Sequence, residues 1–195
     1  IYHVDEAMTR WIAPILSFTA DEVWENLPGK HDDMGVFLET WYEGLFNYSN
    51  VRINSNLWTT LLSIRQQTSG ILEVLRQDGK IGSSLDASVV IYCEDDLLNA
   101  LEVISEELRF VLITSEATLA KLQDAPDGCE IKTLKDDPDV DLNSQFAIEA
   151  TVCESAKCVR CWHHREDVGK NTDHPELCGR CVENVDGEGE VRQYA

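Results

Sequence analysis

Near the start of the chain the apolar positions Ile1, Val4, Met8, Trp11 and Ile12 recur at helical intervals, a pattern that Pro14 interrupts. Thr19 stands three residues before Glu22 and just ahead of Val23-Trp24. This is the spacing of a capping box, in which each side chain satisfies an orphan amide of the other's turn. It predicts a short helix from about Ala20 to Leu27, ended by Pro28-Gly29. Lys30 to Gly35 reads as loop, and Val36 to Trp41, short and aromatic, as an ordered extended piece. The longest periodic segment runs from Ser55 to Asp78, with Leu57, Trp58, Leu61, Leu62, Ile64, Ile71, Leu72, Val74 and Leu75 marking one apolar face. Such a helix spans roughly 36 Å. Asp78-Gly79 closes it, and Lys80 to Ser84 is a connector.

The period then changes. Ser88 to Cys93 is β-branched and reads as a strand, whereas Asp95 to Leu108 is helical, with Leu97, Leu98, Leu101, Ile104 and Leu108 at helix spacing. Asp95 and Asp96 are favourable charges at its N-terminus. Phe110 to Ile113 is expected as a second strand, followed by strands at Cys129 to Thr133 and Phe146 to Val152. Between the last two, Asp136-Asp137-Pro138-Asp139 reads as an exposed acidic loop. Helices and strands mixed in this way predict an α+β fold: a helical part over residues 1–82, a small mixed α+β subdomain over 83–155, and a distinct tail over 156–195.

Composition narrows the class. With 195 residues, 43% hydrophobic and 27% charged, the chain can bury a core without disulfides, and collagen-like, low-complexity and disordered readings are excluded. No run approaches 18 apolar residues, and Ile1-Tyr2-His3-Val4-Asp5-Glu6 is neither a signal peptide nor an initiator start. The expectation is a soluble, cytoplasmic piece of a longer chain with no membrane partner. The net charge of −20 repels nucleic acid over the surface as a whole. Residues 157–195, however, hold 8 acids against 6 bases and three of the five His, so the tail is close to neutral.

That tail carries the strongest chemical signal. Cys158-Val159-Arg160-Cys161 and Cys178-Gly179-Arg180-Cys181 form two C-x2-C pairs across a 16-residue spacer, the spacing of a tetrathiolate zinc site. Two cysteines in a tight turn can aim both sulfurs at one ion, and two such knuckles complete a tetrahedron. Four thiolates leave no open position, so the metal is expected to be one structural Zn2+. His163 and His164 are superfluous as ligands. Cys93, Cys129 and Cys153 lack paired spacing and read as small buried hydrophobes. Trp162, with Arg160, Arg180 and Arg165 nearby, could stack on an unpaired base while the guanidinium groups hold phosphates, or it could be the ribbon's own small core. The acidic clusters lack the register of a calcium loop. No Gly-rich phosphate loop, G-x-S-x-G or H-E-x-x-H occurs, so no catalytic residue is named.

These residues resemble a known family. Ala13 to Trp24 looks like the helical anticodon-binding domain of the class I synthetases for Ile, Val and Leu, and Val36 to Trp41 is similar to the segment that follows in the Ile enzymes. Lys80 to Ala87, Cys158-x-Arg160-Cys161-Trp162, Asp167-Val168-Gly169 and Leu177 to Cys181 narrow the resemblance to the C-terminal region of a bacterial-type isoleucyl-tRNA synthetase, ending in a zinc ribbon. The resemblance implies a parent ligase that joins isoleucine to tRNA(Ile) using ATP. Its catalytic and editing domains, and the ATP site, lie outside this sequence: neither the His-Ile-Gly-His-like nor the Lys-Met-Ser-Lys-Ser-like signature occurs in it. It also implies a monomer that meets the anticodon stem-loop. Carried over are Cys158, Cys161, Cys178 and Cys181 as zinc ligands and Arg160 and Trp162 as RNA contacts; Arg180, in the second knuckle, is a further candidate RNA contact on its residue type and place. With a net charge of −20, RNA contact requires the basic groups to be gathered on one face. The ribbon is also similar to the zinc finger of formamidopyrimidine-DNA glycosylases. Against a glycosylase, Val182-Glu183-Asn184 follows Cys181 where that family usually has Gln, and the helical region has no counterpart there. A zinc-ribbon module for protein interaction is the third reading.

Overall fold

A computed structural model describes residues 1–29, 34–46, 53–134 and 142–191. The expected loop at Lys30 falls largely, and the acidic loop at Asp136 wholly, outside the described residues. The chain forms two compact units, Ile1–Ser49 and Asn50–Ala195.

In the first unit, α1 (Tyr2–Ile12) and α2 (Ser17–Asn26) enclose a small core of Ala13, Ala20, Trp24 and Val36. The Arg10 guanidinium lies 4.6 Å over Trp24 and pairs with the buried Glu6. The capping box expected at Thr19 and Glu22 does not form, because α2 begins at Ser17 and Thr19 is already inside it. The cause lies in the turn at Pro14. The amides of Ile15 and Leu16 donate back to the Ile12 carbonyl and Ser17 Oγ donates to the Ala13 carbonyl, so the second helix starts at once. Val36–Leu38 is a 3-10 turn rather than an extended piece, and the chain becomes extended only from Glu39.

The second unit is built on a four-stranded mixed sheet, order β2-β1-β4-β3, from β1 (Ala87–Cys93), β2 (Glu116–Lys121), β3 (Ile131–Thr133) and β4 (Gln145–Val152). β1 is parallel to β2 and antiparallel to β4. The helices α3 (Ser55–Gln77), α4 (Asp95–Glu102) and α5 (Leu108–Leu112) share a single core with it. Leu57, Leu61, Ile64 and Leu72 of α3 meet Leu97 and Leu101 of α4, Leu108 and Leu112 of α5, and Val89, Ile91, Phe146 and Ile148 of the sheet. Asn54 caps α3 by accepting from the Leu57 amide. The helix ends in a Schellman turn: Gly79 at φ 71°, with the Lys80 amide on the Leu75 carbonyl and the Gly79 amide on that of Arg76.

Two expectations for this unit are corrected. Residues 110–112 belong to α5, with Ile113 as its left-handed C-cap, and not to a strand, because Leu108 and Leu112, four apart, both bury against the core and continue the spacing of Leu101 and Ile104. The helix predicted over Asp95 to Leu108 breaks after Glu102, and the second strand lies instead at Glu116–Lys121, on the edge of the sheet. The strands expected near Cys129 and Phe146 are β3 and β4. Cys93 and Cys153 are buried, while Cys129 is only half-buried.

Candidate metal centre

Both knuckles are shaped by their own backbone. In the first, the Trp162 amide donates to the Cys158 carbonyl and the Cys158 amide to that of His163, a turn tight enough to put Trp162 at φ 65°. In the second, Cys178 precedes α6 (Gly179–Asp186), and the Asp167 carboxylate caps that helix by accepting from the Gly179 amide at 2.9 Å. A β-carbon at residue 179 would stand 2.8 Å from the same carboxylate oxygen, so glycine leaves room for the cap. The Val159 amide donates to the Glu176 carbonyl and joins the knuckles.

The sulfurs of Cys158, Cys161, Cys178 and Cys181 all lie within 4.8 Å of one another, and three of the four residues are buried. A tetrahedral ion with metal–sulfur bonds of about 2.3 Å needs edges of about 3.8 Å. The Cys161–Cys178 pair stands at 3.6 Å, close to that edge and far from a disulfide bond. Burial pushes Cys178 up to about 12 and raises Cys181. Cys158 behaves otherwise: burial opposes its ionisation, but the amides of Cys161, Cys178 and Arg160 directed at the sulfur bring it down to about 6. Arg160 Nη1 lies 3.6 Å from Cys181 Sγ. One thiolate favoured by the backbone and two thiols, Cys178 and Cys181, whose ionisation burial opposes, stand where a divalent cation would draw four sulfur ligands together. The donor set therefore fits zinc.

Trp162 is 62% exposed, so it is not the core of the ribbon; Val168 and Leu177 pack against the cysteines instead. Arg160 is exposed beside it. Arg180 is placed differently, 5.1 Å over the Phe110 ring of α5 and 3.2 Å from Glu190. His163 is buried with its ring 5.7 Å from Phe110, and burial, followed by Arg109, lowers its pKa and keeps it neutral. Arg109 also lies over Phe110, at 4.3 Å, close enough to Arg165 and Arg180 for their charges to add to burial in lowering its own pKa. Arg109, Arg165 and Arg180 thus lie close together where α5 meets the ribbon. Sequence reasoning did not single out Asp167, Phe110, Arg109, Asp86 or Ser115. Only the Asp167-Val168-Gly169 and Lys80-to-Ala87 motifs offered a signal for any of them, for Asp167 and Asp86.

Comparison with known proteins matches residues 156–184 to the zinc finger found in FPG and IleRS, and residues 1–91 to the anticodon-binding domain of tRNA ligase. The finger alone leaves glycosylase and synthetase open. Similarity over the whole chain decides between them: it is 48% identical to isoleucine–tRNA ligase of Alkalilimnicola ehrlichii, 48% to that of Thioalkalivibrio sulfidiphilus and 44% to that of Psychromonas ingrahamii, all of this chain aligning in each case. The chain belongs to the isoleucyl-tRNA synthetase family. It spans 20% of the length of these relatives, and its matches are to the anticodon-binding-domain and zinc-finger models. The glycosylase reading is not favoured. Among the described residues no helix is long and apolar enough to cross a membrane.

Proposed function

We propose that this part of the ligase holds the anticodon stem-loop of tRNA(Ile), and that one structural zinc on Cys158, Cys161, Cys178 and Cys181 rigidifies the ribbon for that contact. Functionally, the helical part over 1–82 and the ribbon over 156–195 share the RNA, and the α+β part over 83–155 carries the ribbon. The bound zinc would neutralise the thiolates and fix the two knuckles; the chain's own residues do the rest. Trp162 offers an indole face for base stacking and Arg160 a guanidinium for phosphate. Arg180 would contribute only by exchanging its Glu190 pair for a phosphate. Isoleucine activation with ATP, and editing, belong to the parent's other domains, in a cytoplasmic and monomeric enzyme.

The observation that carries this reading is Trp162, a large aromatic side chain held in left-handed backbone and 62% exposed beside a zinc ligand. Binding of this chain to an anticodon stem-loop and to a lesion-bearing DNA duplex, each across a salt titration, tests it. Tighter binding to the stem-loop is expected. Preference for the duplex, or binding to neither, would count against it.

A further inference from the structure

The ribbon is joined to the sheet by more than the chain at Ala156. Asp86, in the turn before β1, directs its two carboxylate oxygens to different tasks. Oδ2 accepts the amides of Gly82 at 3.0 Å and Ser83 at 2.8 Å and so fixes its own turn. Oδ1 faces His164 Nε2 at 3.3 Å and Lys157 Nζ at 3.5 Å, two groups of the ribbon's first knuckle segment that pair with each other across a bridge. The Asp86 carbonyl accepts the Cys153 amide at 2.8 Å. Beside it, Ser115 donates its hydroxyl to the Leu85 carbonyl and accepts the His164 amide at 2.6 Å. The His164 ring spans two acceptors: Nδ1 lies 2.7 Å from the Ser155 carbonyl and Nε2 faces the carboxylate. Both ring nitrogens of His164 thus face oxygen atoms, one in the ribbon's own segment and one in the turn before β1.

We propose that Asp86 is a positioning residue for tRNA contact. Its carboxylate orients the first cysteine knuckle, and with it Trp162, on the four-stranded sheet. Trp162 stands two residues before His164, so a ribbon freed at this anchor would keep its metal yet present the indole over a range of orientations. Preorganisation, not a direct contact, is what Asp86 contributes. The inference rests on the reading of Trp162 as an RNA contact.

The test uses the full-length ligase carrying Asp86→Asn, which retains an oxygen for the Gly82 and Ser83 amides but removes the charge that faces His164 and Lys157. Zinc content and isoleucine-dependent ATP–pyrophosphate exchange should be unchanged. The KM for tRNA should rise at least about fivefold with kcat held within about twofold. In a Trp162→Ala background the same substitution should add less than about twofold, because Asp86 acts through the indole. His164→Ala, which leaves the Gly82–Asp86 turn untouched, should raise KM similarly. An unchanged KM in both variants, or a rise that persists in full without Trp162, overturns the proposal. Amide exchange reads the anchor independently of RNA: in Asp86→Asn the His164 amide should exchange faster while the Trp162 amide stays protected, and unchanged exchange at His164 overturns the proposal. A Trp162→Ala enzyme with normal KM counts against the stacking reading, and the exchange result alone then decides the role of Asp86.

Discussion

In and around the two knuckles, single residues divide the labour sharply. Cys178→Ser removes one of four ligands and should release the metal; stoichiometric zinc in the purified variant would show a different ligand set. Arg160→Ala should lower the salt slope of tRNA binding by about one unit, the signature of one lost phosphate contact, measurable by affinity across a salt series. Asp86 also gives a pH prediction. Burial acts to raise its pKa, but the Ser83 and Gly82 amides, Lys157 and His164 outweigh that and hold it below the ordinary carboxylate value. A depressed acid contributes stability above its unfolded pKa and loses it as pH falls through the folded one. Wild type should therefore melt higher than Asp86→Asn at neutral pH, and the gap should close on acidification below the ordinary Asp range. The four cysteines were legible in the sequence because metal geometry constrains local spacing. The anchoring role of Asp86 and Ser115 was not, because their ribbon partner His164 lies 78 and 49 residues away, a relation no local spacing carries; the Lys80-to-Ala87 motif marked Asp86 only as part of its own turn.

At the level of elements, the sequence is readable where one pattern operates and misleading where two compete. The helix α3 emerged with its limits nearly intact because its period, cap and closing glycine agree. Its apolar stripe was drawn too wide, however: Leu61 is fully buried, whereas Leu62 is 55% exposed. Leu61→Ala should cost about 2–5 kcal/mol of unfolding free energy, and Leu62→Ala less than about 0.5 kcal/mol, by denaturant titration. Phe110 to Ile113 has strand-like composition, but the four-residue step from Leu108 to Leu112 buries both leucines, and tertiary burial overrides propensity. The edge strand β2, Glu-Ala-Thr-Leu-Ala-Lys, has no fully buried residue, and its polar–apolar alternation lasts only four residues, too short to mark it. The expected cap at Thr19 failed because the turn at Pro14 supplied an earlier helix start.

On the scale of the whole second unit, the ribbon is fastened to a hydrophobic body at two places, Phe110 with His163 and Arg180, and Asp86 with His164 and Lys157. Its own apolar content is too small to order it alone. Chelation should unfold residues from about Ala156 onward and leave the α3–sheet core intact, so helical circular dichroism should fall only slightly while amide protection in the ribbon disappears. The central claim, that a zinc-held ribbon presents Trp162 to tRNA, is tested most directly by Trp162→Ala in the full-length ligase, with zinc content and tRNA affinity measured on the same preparation. The account predicts full zinc occupancy with tRNA binding weakened by about 1–3 kcal/mol, the loss of one base–aromatic stack. Full zinc with unchanged tRNA affinity would contradict it and reduce the ribbon to a structural clamp.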